Sequence, residues 1–197
     1  LGEFPRADAL LTEMEQYAAE QRLPFFSEIL APMERALCLG WAGKGEAVFD
    51  VGRKALSPWV SAGMGICVPY IKANLAETAG RCNRWDEAIA LIDEALAQIG
   101  SPRKEERQAL AELLRVKASA LQVQGDLNGS ERLFRQALDV ASQQRAKTWE
   151  LRAATGLARL LTSQDRREEA LEILAPVHRW FTEGLNVYYT RLLLLRS

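Results

Sequence analysis

Histidine is almost missing from this chain: His178 is the single one among 197 residues. Zinc sites and catalytic triads draw mainly on imidazole, so either would have to use that residue or do without. Cysteine is scarce as well. Cys38, Cys67 and Cys82 form no C-x-x-C pair, and their number is odd. A secreted disulfide framework is therefore not expected, and reduced thiols in a cytoplasmic protein fit better. No apolar run approaches the roughly 18 residues a membrane span needs; the four leucines at 192–195 are a short one. Neither charge sign is in excess, with 25 Lys+Arg against 26 Asp+Glu, and general nucleic-acid binders usually carry a basic surplus. No G-x-x-x-x-G-K-[ST] phosphate loop occurs, since "GKGEAVFD" (43–50) is too short and ends wrongly. The chain opens "LGEFPRADALL", without an initiator Met or a basic leader. It is expected to begin inside a folded element, as a piece of a longer protein.

What is present is helical periodicity, with no alternating strand pattern to compete. In "RWDEAIALIDEALAQI" the residues Ala88, Leu91, Ile92, Ala95, Leu96 and Ile99 make one apolar stripe at three- and four-residue spacing. The unit recurs. Asn83, Ala88, Ile92 and Ala95 stand at offsets 0, 5, 9 and 12, and so do Gly125, Ser130, Phe134 and Ala137. Asp165, Ala170, Leu174 and Val177 repeat the pattern, as do Gly2, Ala7, Leu11 and Met14, with a weaker copy at Gly43, Val48, Gly52 and Ala55. The turn residues 2, 43, 83, 125 and 165 are thus spaced by 41, 40, 42 and 40. A steady period of this length marks stacked helix pairs. The small residues admit a neighbouring helix, and the turn residue ends the first helix of a pair in a left-handed conformation. Because each pair cannot bury its own stripe, pairs stack. The expected fold is an all-α, right-handed superhelical solenoid of antiparallel helix pairs, a single domain over residues 1–197. About ten helices are predicted, at 5–21, 24–41, 45–61, 66–82, 85–99, 103–124, 127–144, 146–164, 167–182 and 186–196.

The offsets resemble the tetratricopeptide pattern, although the repeat here is longer. The segment "FRQALDVASQQRAKTWELRAATGLARLLTSQDRREEALEILAPVHRWFTEG" (134–184) is similar to the end of a group of multidomain bacterial signalling ATPases. In that group an adenylate/guanylate cyclase or winged-helix domain precedes a nucleotide-binding switch domain and a C-terminal tetratricopeptide array. The maltose-regulon activator has a related layout. "AKTWELRAATGLARL" and "LAPVHRWFTEG" carry most of the likeness; after Gly184 this chain departs, reading "LNVYYTRLLLLRS". The resemblance implies a non-catalytic protein-binding or effector-sensing region of a transcriptional or signal-transduction regulator, with no cofactor or metal of its own.

It also implies which residues line the concave groove. From the second helix these are Leu30, Met33, Leu37 and Trp41, and from the fourth Tyr70, Glu77 and Arg81. The sixth contributes Glu112, Arg115, Ser119 and Gln122, and the eighth Arg152, Thr155 and Arg159. Arginine forks bind carboxylate and phosphate bidentately, so the groove is expected to receive an acidic peptide or a small anionic effector. The competing reading pairs these arginines with Glu77, Glu112 and Glu150 on neighbouring turns. The mixed charges of "DRREEALEIL" and "SPRKEERQAL" read as intrahelical pairs, and the tryptophans near helix ends (Trp41, Trp59, Trp85, Trp149, Trp180) as packing, with Trp41 the one nearest a ligand. His178 reads as structural, behind a Pro176 that weakens its turn. The apolar tail from Tyr188 to Leu195 is expected to cap the last repeat or to make a homodimer contact. A scaffold that only holds oligomers together is the alternative function, and a small α-helical enzyme the minor one.

Overall fold

Each apolar stripe in the sequence becomes a helix in the computed structural model, which describes residues 4–41, 45–61, 63, 67–100 and 107–181. In chain order the helices are α1 (Phe4–Glu20), α2 (Ala31–Trp41), α3 (Gly45–Ser61), α4 (Val68–Arg81), α5 (Trp85–Ile99), α6 (Leu110–Val123), α7 (Leu127–Gln143), α8 (Lys147–Ser163) and α9 (Arg167–Arg179). Among the described residues there is no strand. The expected tenth helix, at 186–196, lies outside the described residues.

One predicted helix is two pieces. Residues 24–41 begin with a π-helical turn at Phe25–Leu30, and the Ala31 N–H donates to the Phe26 carbonyl, five residues back. Pro32 explains the change of winding. It has no N–H to give, and its ring collides with the carbonyl four residues earlier, so a wider turn leads into α2. The stretch predicted at 103–124 starts, where described, with a 3₁₀ turn at Arg107–Ala109.

The turns repeat one design. After α1, α4, α6, α7 and α8 the chain enters the left-handed region at Arg22, Asn83, Gly125, Arg145 and Asp165. In each case the next N–H donates to a carbonyl five residues back: Leu23 to Ala18, Arg84 to Ala79, Asp126 to Leu121, Ala146 to Ala141 and Arg166 to Leu161, all at 2.8–3.0 Å. This double cap satisfies carbonyls that a helix end would otherwise leave open, and the helix that follows must run back antiparallel. Residues 83, 125 and 165 are the turn residues anticipated from the sequence. Arg22, Gly63 and Arg145 form a second left-handed series, interleaved with the first, that the sequence did not announce.

The chain divides into two compact units, Leu1–Gln98 and Ile99–Ser197. In the first, α2 contacts α1, α3 and α4, burying Met33, Leu37, Phe49, Ile71 and Leu75. Met33 and Leu37 therefore sit in the core, a correction to the groove expected from the sequence: a helix with three helical neighbours keeps its apolar stripe among them. In the second unit α6 contacts both α7 and α8, and α8 contacts α9, around Phe134, Leu151, Leu157, Leu160, Leu161 and Leu174. Each fully buried side chain of this kind contributes about 1.5–3 kcal/mol by burial. In the copies that start at 83, 125 and 165 the small positions are buried as expected, with Ala88, Ser130, Ala95 and Ala137 at 0% exposure and Ala170 at 1%; in the copy on α1, Ala7 is only half-buried. Two glycines carry large rings on their backbones. A Cβ on Gly80 would lie 2.5 Å from the Trp85 ring, and one on Gly156 would run into Phe134.

Candidate functional site

In the second unit, α6 and α8 lie side by side and present the expected polar rows. Glu112, near the start of α6, is buried, its side chain only 2% exposed. Arg115, one turn on, donates from Nε to Glu112 Oε2 (2.9 Å) and from Nη2 to Oε1 (2.8 Å). Arg152 reaches across from α8 and places Nη1 2.8 Å from the same Oε1. One carboxylate therefore anchors two guanidiniums on neighbouring helices, gripped by the Arg115 fork and by one nitrogen of Arg152, the pairing with Glu112 that the competing reading anticipated. Further along, the Ser119 hydroxyl donates to the Arg115 carbonyl (3.2 Å), and Gln122 is half-buried. Thr155 is buried and its hydroxyl finds no hydrogen-bond partner among the described residues. Arg159, two turns beyond Arg152, is exposed. Glu150, proposed as an arginine partner, instead accepts from Lys147 Nζ at 2.6 Å.

The other expected groove residues belong to the first unit. Tyr70 is half-buried on the first turn of α4, and its carbonyl accepts from Asn74 Nδ2 (2.9 Å). Arg81 donates to Glu77 at 3.0 Å, as the competing reading anticipated. Trp41 ends α2. Asn74 and Thr78 are buried polar residues within α4, and the Thr78 hydroxyl donates back to the Asn74 carbonyl at 3.0 Å. Sequence reasoning passed over both, although a polar residue inside an apolar stripe was the available signal.

Two ion networks of one design tie alternate helices together. Arg166, just ahead of α9, donates from Nε to Glu169 (2.9 Å) and from Nη1 to Glu131 of α7 (2.6 Å), while Arg135 of α7 bonds both Glu131 and Glu169. In the first unit Arg84, ahead of α5, grips Glu87 with Nε and Nη2 (2.6 and 2.9 Å), Asp50 of α3 lies 3.6 Å away, and Arg53 of α3 donates to Glu87 (3.2 Å). Bonds from Arg166 hold the Glu131 carboxyl below the usual carboxylate range, and bonds from Arg166 and Arg135 do the same for Glu169. The residues of "DRREEALEIL" thus pair between helices as well as within one, a role visible only once the partner helix is placed. Arg84 also lies over the Phe49 ring, 4.2 Å from its centre.

A cleft of about 440 Å³ opens between α3 and α5, walled by Phe49, Leu56, Val60, Ala90 and Leu91, with Lys72 reaching it from α4. His178 is half-buried on α9, two residues after Pro176, which lies inside that helix. Trp85 packs as expected, over Gly80. Trp180 does not: it is 59% exposed, edge-on to Phe181 at 5.0 Å, because α9 ends one residue earlier. Among the described residues no three His, Cys, Asp or Glu side chains converge as a metal site would need. The tail from Tyr188 to Leu195 lies outside the described residues. No protein-family model matches the chain, and no curated protein matches it significantly in sequence.

Proposed function

We propose that this chain is a non-catalytic, tetratricopeptide-like interaction and effector-sensing domain of a bacterial cytoplasmic regulator, its helix pairs continuing as one right-handed solenoid. The face shared by α6 and α8 receives the ligand, an acidic peptide segment or a small anionic effector. The observation that carries this reading is the pair of guanidiniums, from Arg115 and Arg152, fixed by the buried Glu112. A carboxylate beneath them holds the heads in one geometry before any ligand arrives, which lowers the ordering cost of binding. Arg159 extends the cationic row along α8 into solvent. Ligand binding that favours one arrangement of the helices would be felt by a neighbouring domain as a coupling free energy.

The test uses a fluorescein-labelled hexaglutamate peptide, followed by anisotropy, with pyrophosphate as competitor. Saturable, salt-sensitive binding is expected, weakened about tenfold by Arg159→Glu, a change at an exposed side chain. Equal binding by wild type and Arg159→Glu, or no binding at millimolar peptide, would overturn the proposal. A second reading, an oligomerising scaffold, draws on Leu10 and Tyr17, which stand 58% and 63% exposed two turns apart on α1. Light scattering across concentration separates the two: a monomer at all concentrations removes the scaffold.

A further inference from the structure

The cleft between α3 and α5 belongs to the first unit, the α6–α8 face to the second, and the cleft has the character of a small-molecule site. Its volume, about 440 Å³, falls within the range of ligand pockets, which are mostly apolar with a few placed polar groups. Leu56 and Val60 come from α3, Ala90 and Leu91 from α5, and α4 supplies a single residue, Lys72. The lysine side chain is 13% exposed, so its stem is packed and carries the ammonium to the cleft, where its bond to Glu94 is exposed. Its partner is not fixed: Glu94 lies 2.9 Å from Nζ, yet its side chain is 64% exposed.

That asymmetry decides the sign of the ligand. A carboxylate on a solvent-facing side chain loses little on turning into water, because exposed ion pairs contribute at most about 1 kcal/mol. Lys72, its stem packed, keeps its ammonium at the cleft, where an incoming anion can take the place of Glu94. The second cation on the lining is also loosely committed. Arg53 is 63% exposed and makes one 3.2 Å bond to Glu87, a carboxylate already gripped twice by Arg84.

We propose that this cleft binds a small organic anion with an apolar body, of the class of medium-chain carboxylates. The ligand's carboxylate takes the place of Glu94 on Lys72, and its chain lies along Leu56, Ala90 and Leu91. The exchange is of ion-pair partners only, with no bond made or broken and no proton moved.

Isothermal titration with octanoate tests it, with octylammonium as the cationic counterpart of equal length. Octanoate should bind saturably, one per chain, and octylammonium should not. Glu94→Gln removes the internal competitor and should tighten octanoate binding about threefold. Lys72→Met keeps the packed stem, loses the charge, and should weaken binding about tenfold; Ala90→Trp fills the cleft and should abolish it. Should Lys72→Met fail to fold, the tightening in Glu94→Gln, at an exposed position, still decides. The proposal is overturned if octanoate gives no saturable heat at millimolar concentration. It is equally overturned if Glu94→Gln leaves the affinity unchanged or lowers it, or if octylammonium binds as well. Arg159→Glu should leave octanoate binding untouched, which separates failure here from failure of the α6–α8 reading.

Discussion

Replacing Glu112 by glutamine probes how the charged cluster between α6 and α8 is built. The amide keeps the shape of the side chain and one acceptor oxygen but removes the negative charge from beneath two guanidiniums. Glu112 is 2% exposed, Arg115 11% and Arg152 18%, so water replaces little of what is lost. Removing one partner of a buried ion pair typically costs about 3–5 kcal/mol, because the remaining charge stays desolvated. The partial exposure of both arginine heads argues for the lower end, about 3 kcal/mol, a large share of the roughly 5–15 kcal/mol that holds a domain folded. Urea unfolding followed by tryptophan fluorescence reads this in the second unit, where Trp149 and Trp180 stand. With slopes of about 1–3 kcal/mol per molar urea, the midpoint should fall by at least roughly 1 M. Added salt should change the loss little, since covered charges are poorly screened. The triple replacement Glu112→Leu, Arg115→Met, Arg152→Met should recover most of the stability, as apolar substitutes for buried ion clusters commonly do. A Glu112→Gln loss below about 1 kcal/mol, or a triple variant no better than the single one, would refute the reasoning.

The remaining predictions address turns, packing, acid and thiols. Gly125 has φ +86° with nothing near a Cβ, whereas Arg145 has φ +55°. Gly125→Ala should therefore cost about 1 kcal/mol and Arg145→Gly should gain about 0.5 kcal/mol, and thermal melts shifting in the same direction would contradict the backbone argument. Gly156→Ala forces a methyl into the Phe134 ring and should cost about 1–3 kcal/mol; Phe134→Leu in the same chain should return part of it, as chemical denaturation would register. Glu131 and Glu169 have folded pKa values below their ordinary ones. Their contribution is thus complete above the unfolded pKa of about 4.3 and is lost as pH falls through the lower folded values. The urea midpoint should hold through neutral and mildly acid pH and drop below about pH 4, less steeply in Glu131→Gln; an identical acid profile in that variant would discount the network. Burial and the nearby Glu34 and Asp8 carboxylates push the Cys38 thiol up, while Cys67 is exposed. Ellman's reagent should therefore modify Cys67 well before Cys38, and the reverse order would contradict the described packing.

How far the fold could be read in advance depends on whether a residue's own chemistry reveals its role. Stripes such as Ala88, Ile92 and Ala95 did, because burial on one helical face requires that spacing. Asn83, Gly125 and Asp165 did, because glycine and small polar residues tolerate the left-handed conformation. Arg22 and Arg145 adopt the same conformation with side chains that give no hint of it. They are held there by the cap hydrogen bonds and by the helices on either side. The arginines of the candidate face were legible as residue types, but the anchoring of Arg115 and Arg152 by one carboxylate was not, since it needs α6 and α8 side by side.

The spacing of the ion pairs carries the helix-pair argument one step further. Glu112 and Arg152 are 40 residues apart, one repeat, so equivalent positions of the two first helices face each other. On the second helices and at their N-caps the partners are 34 or 35 apart: Arg53 with Glu87, Arg135 with Glu169, Arg166 with Glu131. The value is shared by both units, which means that neighbouring second helices meet in the same register in each. Register of this kind depends on turn length. One residue inserted between Asp165 and Arg166 would lengthen the turn that the Arg166-to-Leu161 cap bond closes and carry Glu169 away from Arg135, while leaving every helix able to form. The tight three-residue turns, more than any single contact, are what keep the two networks alike.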